Sequence, residues 1–324
     1  MPRTPSELPP DFTKAAFTVV QGRAAGLSPK RLRGGDLDRP FRGVRLLADG
    51  LEVDATLDRY ELAAQELAVT CDALELVLPD GAYFSHLTAG RLWPLPLPEP
   101  REGERIHVAV GPTLLPPHRV GVTGHQISDP LVRAVRRRGR LLVDPASLFC
   151  QLSGMLRVED LVAVGDALVL EPRFVEDGED RPWLTVHDLA ERVDRFRGRG
   201  KARAARALGL VRPGAESRPE SLLRIAMIEA GLPEPDVNPD IHSPGGVFLG
   251  RGDLVYWTWR VIVEYDGDQH RSNSRQYEKD VGRLDGFGRH GWRVVRITKG
   301  AFFTDRGACV ARVEQALVDA GWRR

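Results

Sequence analysis

The sequence predicts a multidomain protein of mixed α+β and α/β structure. A small N-terminal helix-and-hairpin segment, an α+β middle region and a C-terminal mixed sheet with flanking helices follow one another. Three observations predict this class. The 324 residues exceed what one hydrophobic core commonly holds, helical apolar spacing alternates with short β-rich runs, and Pro- and Gly-rich stretches separate the blocks. The predicted boundaries are 1–49, 50–194, a basic linker at 195–216, and 217–324.

Charge and composition limit the classes of function. The chain has 46 basic and 45 acidic side chains and a net charge of +1, which excludes a globally basic nucleic-acid coat and restricts nucleic-acid contact to local patches. Cys71, Cys150 and Cys309 show no CxxC spacing, which disfavours zinc ribbons and disulfide scaffolds. The N-terminus lacks a signal-peptide core and no long apolar run occurs. We therefore expect a cytoplasmic, soluble protein with no membrane partner.

The segment 1–49 has the element order of a small winged helix-turn-helix. A helix over 15–25 stops at Gly26, and Ser28-Pro29 begins a second short helix through Arg33, since Ser is a favoured N-cap and Pro a favoured first helical residue. A strand over 41–47 follows. In this interpretation four arginines face DNA: Arg31, Arg33, Arg39 and Arg42. The alternative is a helical cap with solvated arginines.

The middle region predicts an α+β body without an identifiable chemistry. Helical spacing begins at residue 58, a strand is expected at 75–79, and Pro79-Asp80-Gly81 forms a tight turn. Ser85 is positioned to cap the next helix. Further strands are predicted at 106–110 and 140–144, and further helices at 147–153 and 158–170. The histidines lack metal-ligand spacing and are interpreted as structural: His86, His107, His118 and His125. The Arg/Lys-rich linker contacts phosphate or is solvated.

The C-terminal region contains the informative acids. A helix runs from Ser217 to Ala230, and Glu220 follows Ser217 at the spacing of a capping box, a local role that can coexist with a functional one. Two β-rich runs, 251–259 and 260–267, predict a hairpin with Thr258-Trp259 at its tip, in which the numbers of facing residues sum to 517.

In this register Asp253 lies opposite Glu264, and Asp266 shares the face of Glu264. Facing carboxylates repel at this spacing, whereas Mg²⁺ accepts carboxylate ligands together with substrate phosphates. The cluster therefore predicts a divalent-cation site, the alternative being a solvated strand end. Asp268 and His270 occupy the next turn, and a helix over 275–289, a strand over 292–298 and a helix over 307–320 complete the region. The inner face of the 275–289 helix comprises Tyr277, Leu284 and Phe287. Asp280 and Arg283 are one turn apart on the same helix.

The arrangement of these residues resembles the PD-(D/E)xK restriction-endonuclease-like superfamily, in the branch related to very-short-patch-repair endonucleases. The similarity covers 217–320 and consists of the helix Glu, D-x10-E-x-D-G-x-x-H, D-x-x-R and G-W-x-V-x-R-x-T. It implies that Glu220 supports the site, that Asp253 and Glu264 bind metal, and that His270 matches a histidine of the repair branch. Asp266 occupies the place of the usual Lys, so either His270 and a second metal activate water or the domain binds without cutting.

The N-terminal part resembles an AbiEi-type antitoxin winged-helix region, through GLSPKRLRGGDLDRPFRGVRL and SHLTAGRLWPLPLP. The two resemblances lead to the hypothesis of a DNA endonuclease that requires Mg²⁺ or Mn²⁺, with Asp253, Glu264 and Asp266 as metal ligands and DNA as substrate. Flanking phosphates are assigned to Arg283, Arg296 and Lys299. The alternative is a catalytically silent DNA-binding regulator, antitoxin-like, with a toxin-like partner or a second copy. An RNA-directed nuclease ranks last, because no base-stacking aromatic platform is identifiable.

Overall fold

The computed structural model of the chain describes residues 6–48, 57–174, 179–267 and 274–324, with the backbone alone for 274–281. The chain divides into two compact units, one formed by residues 1–94 and 99–148 and the other by 95–98 and 149–324. The boundary falls inside the stretch 50–194 that the sequence predicts as one body. The reason is that the helix at 158–169 packs with helices of the C-terminal part. A mixed α/β, multidomain architecture is confirmed.

The N-terminal part of the first unit is a three-stranded antiparallel sheet with short helices. Its elements are β1 (Phe17–Thr18), α1 (Val19–Ala24), a 3-10 turn (Arg31–Arg33), β2 (Leu37–Asp38) and β3 (Val44–Leu47), in the sheet order β1-β3-β2. The predicted helix start at residue 15 is wrong, because Phe17 pairs with β3 and Thr18 caps α1 in a reciprocal box with Gln21. Ser28 Oγ accepts a 3.1 Å hydrogen bond from the Arg31 N–H, but the predicted helix from Pro29 is reduced to the 3-10 turn at Arg31–Arg33, whose N-cap is Lys30.

A five-stranded mixed sheet forms the rest of the first unit. The chain continues through α2 (Arg59–Glu75), β4 (Tyr83–Phe84), α3 (His86–Leu92), β5 (Ile106–Val110), β6 (Val122–Gln126), β7 (Ala134–Arg137) and β8 (Arg140–Val143), and the sheet order is β6-β5-β4-β8-β7. The predicted strand at 75–79 is wrong. Helix α2 continues to Glu75, Leu76 is exposed, and the N–H of Val77 closes a turn onto the Leu74 carbonyl.

Helices dominate the start of the second unit. They are α4 (Pro145–Leu152, which contains the boundary), α5 (Val158–Val169), α6 (Val186–Arg195), α7 (Lys201–Leu208) and α8 (Arg218–Glu229). The predicted linker at 195–216 therefore contains a packed helix, α7, whose Ala204 and Ala207 are buried. A buried ion pair joins α5 to α8, with 2.9 Å between Asp166 Oδ2 and Arg224 Nη2.

The C-terminal elements form a mixed sheet between helices. They are β9 (Asp236–Val237), β10 (Asp240–His242), β11 (Phe248–Arg251), β12 (Leu254–Tyr256), β13 (Val261–Asp266), α9 (Ser274–Arg289), β14 (Arg293–Thr298), α10 (Lys299–Thr304) and α11 (Arg306–Asp319). The main sheet has the order β14-β13-β12-β9, and β10 pairs with β11 in a separate hairpin. Strands β13 and β14 are parallel, so α9 is the crossover helix that parallel pairing requires.

Alternating apolar residues of β12 and β13 cover both faces of this sheet. Leu254 and Val263 belong to a core shared with residues of α8 and α11, whereas Val255, Ile262 and Phe287 of α9 form a second cluster. Burial on both faces fixes the register of the hairpin, because a one-residue slip would exchange the two sets. Within the described ranges, no helix combines the length and apolar character needed to cross a membrane.

Candidate functional site

The register of the β12–β13 hairpin confirms the predicted pairing. Leu254 faces Val263 and Tyr256 faces Val261, so the residue numbers sum to 517. Continuing by one residue sets Asp253 opposite Glu264. The tip is wider than a two-residue turn, because residues 257–259 form a 3-10 turn and Arg260 adopts a left-handed φ of 49°.

Asp253 is partly buried, and two other acids influence its carboxyl. Its Oδ2 accepts a hydrogen bond of 2.7 Å from the backbone N–H of Tyr265. Burial raises the pKa of Asp253 well above its usual value, and the charges of Glu264 and Glu220 raise it further, against the Tyr265 hydrogen bond and the charge of Arg283. The charges of Glu264, predicted as a metal ligand, and of Glu220, predicted as a supporting acid, thus act on the Asp253 carboxyl.

Glu264 is buried on β13 and has an arginine partner. Arg283 of α9 donates two hydrogen bonds to its carboxylate, of 2.8 and 3.1 Å, and a third of 2.9 Å to the backbone carbonyl of Arg251. Such a bidentate pair is a strong, directional contact. Arg283, predicted as a phosphate ligand, instead neutralises a predicted metal ligand. Asp280, one turn from Arg283 on the same helix, has a side chain that lies outside the described residues.

Glu220 has both a local and a site-related position. Its carboxylate accepts hydrogen bonds from the Ser217 hydroxyl at 2.6 Å, the Glu216 N–H at 3.0 Å and the Asn238 side-chain amide at 2.8 Å. Burial raises its pKa above the usual value despite these bonds. The N–H of Asn238 in turn donates to the Asp253 carbonyl at 2.8 Å. Ser217 therefore caps α8 by accepting the Glu220 N–H at 3.4 Å, whereas the Glu220 carboxylate bonds the Ser217 hydroxyl and not its backbone N–H, so the predicted reciprocal box does not form. Glu220 connects to the Asp253 strand through Asn238.

Asp266 also has an arginine partner. Arg296 of β14 donates to its Oδ2 at 2.7 Å, and Arg296 is about half exposed (52%). The neighbouring Lys299 is exposed at the start of α10. His270, predicted as a proton acceptor, lies outside the described residues, as does Asp268.

Two of the three predicted metal ligands are engaged by arginines. Glu264 is paired with Arg283 and Asp266 with Arg296. Among the described residues, the oxygens of Asp253, Glu264 and Asp266 do not form a compact three-ligand group. The three-carboxylate metal set therefore stays a prediction, and Mg²⁺ commonly uses one or two carboxylates when phosphate supplies further oxygens.

The N-terminal arginines divide into two groups. Arg31 is buried, its guanidinium forms two hydrogen bonds of 2.9 and 2.7 Å with Asp36, and it donates to the Ser6 carbonyl. The expectation that Arg31 faces DNA is thereby corrected. The other three predicted contacts are exposed side chains: Arg33, Arg39 and Arg42.

Three histidines that the sequence analysis interprets as structural lie together in the first unit. His86 begins α3, His107 lies on β5 and His125 on β6, and a ligand atom from each lies within 4.8 Å of the others. Their spacing along the chain follows no metal-binding motif. Alternation of side chains along a strand can be read from the sequence, but the parallel pairing of β5 with β6, which brings His107 and His125 to one face, cannot.

Two proteins of Mycobacterium tuberculosis are similar to this chain. They are "Uncharacterized protein MT2308" of strain CDC 1551 / Oshkosh and "Uncharacterized protein Rv2248" of strain ATCC 25618 / H37Rv. Each is 29% identical to the chain over 199 residues, which is 61% of this chain and 69% of the relative. No protein-family model matches the chain. No solved structure is significantly similar to it.

Proposed function

We propose that the C-terminal region is a restriction-endonuclease-like domain that hydrolyses phosphodiester bonds in DNA with Mg²⁺ or Mn²⁺. The observation that supports this most is the crowding of Asp253 against Glu264 and Glu220, which raises the pKa of the Asp253 carboxyl well above its usual value. A partly buried group of like charges is costly for a purely structural strand. Clusters of this kind are enriched at functional sites.

The local charge balance supports a cation as the missing component. The Asp253 carboxyl is influenced by two acids and by one arginine, Arg283. Among the described residues, these acids outnumber the arginine, and a divalent cation would compensate that excess of negative charge. Asp253 and Glu264 would hold the ion, which when bound polarises a phosphate oxygen and lowers the pKa of a bound water.

The protein groups around the pair would position the substrate. The Tyr265 N–H fixes one oxygen of Asp253, so the other oxygen is oriented by the same contact. Exposed Lys299 and half-exposed Arg296 supply positive charge at the end of the sheet where Asp266 pairs with Thr298. Contacts from such cations to phosphates give salt-dependent affinity without sequence preference.

The first test is cleavage of supercoiled plasmid DNA by the full chain with Mg²⁺ or Mn²⁺. We expect EDTA to abolish nicking. Asp253→Asn should lower the cleavage rate by at least about 100-fold, because it keeps an acceptor oxygen for the Tyr265 N–H but loses the negative charge. Asp319→Asn is the matched control, since Asp319 is an exposed acid paired with Arg293 on another element. Undiminished cleavage by Asp253→Asn would reject this site.

A second candidate is a catalytically silent DNA-binding regulator, antitoxin-like, with a winged-helix N-terminal segment. It is favoured by the bidentate Arg283–Glu264 pair, which neutralises Glu264 without metal, and by Asp266 at the position where the resembled superfamily has Lys. Exposed Arg33, Arg39 and Arg42 would then contact DNA, and a toxin-like partner or a second copy would complete the assembly. Calorimetry distinguishes the two: salt-sensitive DNA binding without Mg²⁺ or Mn²⁺ binding favours the regulator.

A further inference from the structure

Three imidazole side chains from separate elements converge in the first unit, far along the chain from the acids of the C-terminal region. The fold explains how. On β5, His107 and Ala109 share one face, because side chains alternate along a strand. On β6, His125 faces Ala109 in the parallel pairing and so lies on the same face as His107. Helix α3 begins with His86, and the N–H of Ser85, its N-cap, donates to the His107 carbonyl at 3.0 Å.

The three rings are closely packed. His107 Nδ1 and His125 Nε2 are 2.8 Å apart. The rings of His86 and His125 stack with centroids 3.9 Å apart, and the His86 and His107 centroids are 5.5 Å apart. Apolar side chains are expected on the buried face of a sheet, so three polar rings packed against one another are unusual there.

We propose that His86, His107 and His125 form a binding site for one divalent transition-metal ion of the zinc class. Imidazole nitrogen is a preferred ligand for such ions. Three nitrogens bound to tetrahedral zinc at about 2.0–2.1 Å lie roughly 3.3 Å from one another. The ligand atoms here lie within 4.8 Å of one another, so rotations of the side chains bring them to that spacing without movement of the sheet.

The protonation state of the rings suits metal ligation. Burial lowers the pKa of His86 to about 3 and of His107 to about 4, and it lowers the pKa of His125 as well. At neutral pH all three are therefore neutral, which is the form that binds metal. At His107 the neighbouring His125 also lowers the pKa, Glu104 raises it and Arg105 lowers it.

Contacts outside the three rings fix their orientation. Ser85 Oγ lies 3.0 Å from His86 Nδ1, which directs the other ring nitrogen, Nε2, to the ion. Thr88 Oγ1 accepts the His107 N–H at 2.8 Å and ties β5 to α3. Outer contacts of this kind orient histidine ligands in metal sites. His86 also adopts a left-handed φ of 49°, a conformation that non-glycine residues adopt mainly where the surroundings impose it.

The test is metal binding by the full-length protein, produced without a polyhistidine tag and stripped with EDTA. Calorimetry with Zn²⁺ should give one equivalent, and Co²⁺ should give the visible absorption of a nitrogen-ligated ion. We expect His125→Ala and His86→Asn to weaken Zn²⁺ binding by more than about 100-fold, since loss of an outer contact alone costs 10–100-fold. His118→Ala is the matched control, because His118 is exposed in the loop before β6.

Two further readouts keep the test decisive. The wild-type thermal midpoint should rise with Zn²⁺ and fall back with EDTA, which requires no variant. Both variants should retain the Mg²⁺-dependent behaviour of the wild type, and Asp253→Asn should retain the Zn²⁺ site, so failure of one proposal leaves the other intact. Zn²⁺ binding that persists in both histidine variants, or no binding by the folded wild type, would overturn the site.

Discussion

Replacing Asp253 by asparagine should stabilise the protein while removing cleavage. The variant retains a side-chain oxygen that can accept the 2.7 Å hydrogen bond from the Tyr265 N–H. It removes a carboxylate whose pKa is raised by burial and by Glu264 and Glu220. An acid with a structural role would have a favourable partner, and its removal would destabilise the fold. The sign of the effect therefore distinguishes a functional carboxyl from a structural one.

The magnitude follows from the geometry of the hairpin. Facing carboxylates about 5 Å apart repel by about 3 kcal/mol at an effective dielectric constant of about 20. The charge of Arg283 offsets part of this repulsion. We expect the variant to gain about 1–3 kcal/mol in free energy of unfolding near neutral pH without metal. For a unit of this size, each kcal/mol shifts the thermal midpoint by about 2–4 °C.

The pH dependence of the free energy of unfolding provides a second test of whether the Asp253 carboxylate destabilises the fold. Because the folded-state pKa of Asp253 is raised, the folded protein binds more protons than the unfolded chain above pH ~3.9. Wild-type stability therefore falls as pH rises from ~4 through the folded-state pKa, and the variant lacks this contribution. The advantage of Asp253→Asn should be small near pH 4 and largest above the folded-state pKa.

The assay is urea unfolding with EDTA over pH 4–8, repeated with Mg²⁺. Added Mg²⁺ should stabilise the wild type and leave Asp253→Asn unchanged, since only the wild type offers both carboxylates. Asp319→Asn removes an exposed acid on α11 whose pKa is lowered by its hydrogen bonds with Arg293 and Gln315. It should therefore lower stability slightly above pH ~4, the opposite sign to Asp253→Asn, and leave the response to Mg²⁺ as in the wild type. A loss of stability in Asp253→Asn at neutral pH would refute the reasoning and assign the carboxyl a structural role.

Four other substitutions test packing and ion pairs by denaturant unfolding. Arg283→Met removes the countercharge of a buried glutamate and should cost about 3–5 kcal/mol; an unchanged free energy of unfolding would mean that this ion pair does not stabilise the fold. Gly250→Ala should cost about 1–3 kcal/mol, because Gly250 has a φ of 153° and the new Cβ would lie 2.8 Å from the Arg283 side chain. Gly286→Ala is its control: the new Cβ lies in open space on α9, so the change should be neutral or stabilising by up to about 1 kcal/mol. Arg224→Leu leaves Asp166 buried without its ion partner and should cost about 3–5 kcal/mol; a smaller loss would show that Ser221 and the Arg212 N–H suffice for that carboxyl.

The C-terminal region was the most predictable part of the chain. Alternating apolar residues on two adjacent strands define one register, and the structure has that register, with the numbers of Leu254 and Val263 summing to 517. The start of α8 at Ser217 was readable for the same reason, since an N-cap depends only on local spacing along one helix.

Side-chain partners from distant segments were not predictable. Arg283 reaches Glu264 from a crossover helix, and Arg296 reaches Asp266 from a parallel strand. Both pairings depend on tertiary placement that local spacing does not encode. The same holds for Arg31, whose chemistry predicted a phosphate contact and whose burial beside Asp36 excludes one.

In the middle of the chain the three histidines were identified from the sequence, but their clustering was not predicted. The histidines were visible in the sequence, but their meaning depends on β5 pairing in parallel with β6 and on α3 beginning at the same face. Residues at positions 86, 107 and 125 have no shared local period. Only the sheet order brings them together.

The most direct measurement is a crystal of the full chain soaked in Mn²⁺, with anomalous diffraction recorded at a wavelength where manganese scatters strongly. The account predicts a peak within bonding distance of carboxylate oxygens from both Asp253 and Glu264, with Arg283 retaining no more than one bond to the glutamate. No peak at these acids, with both Arg283 bonds intact at saturating Mn²⁺, would contradict a metal-dependent nuclease.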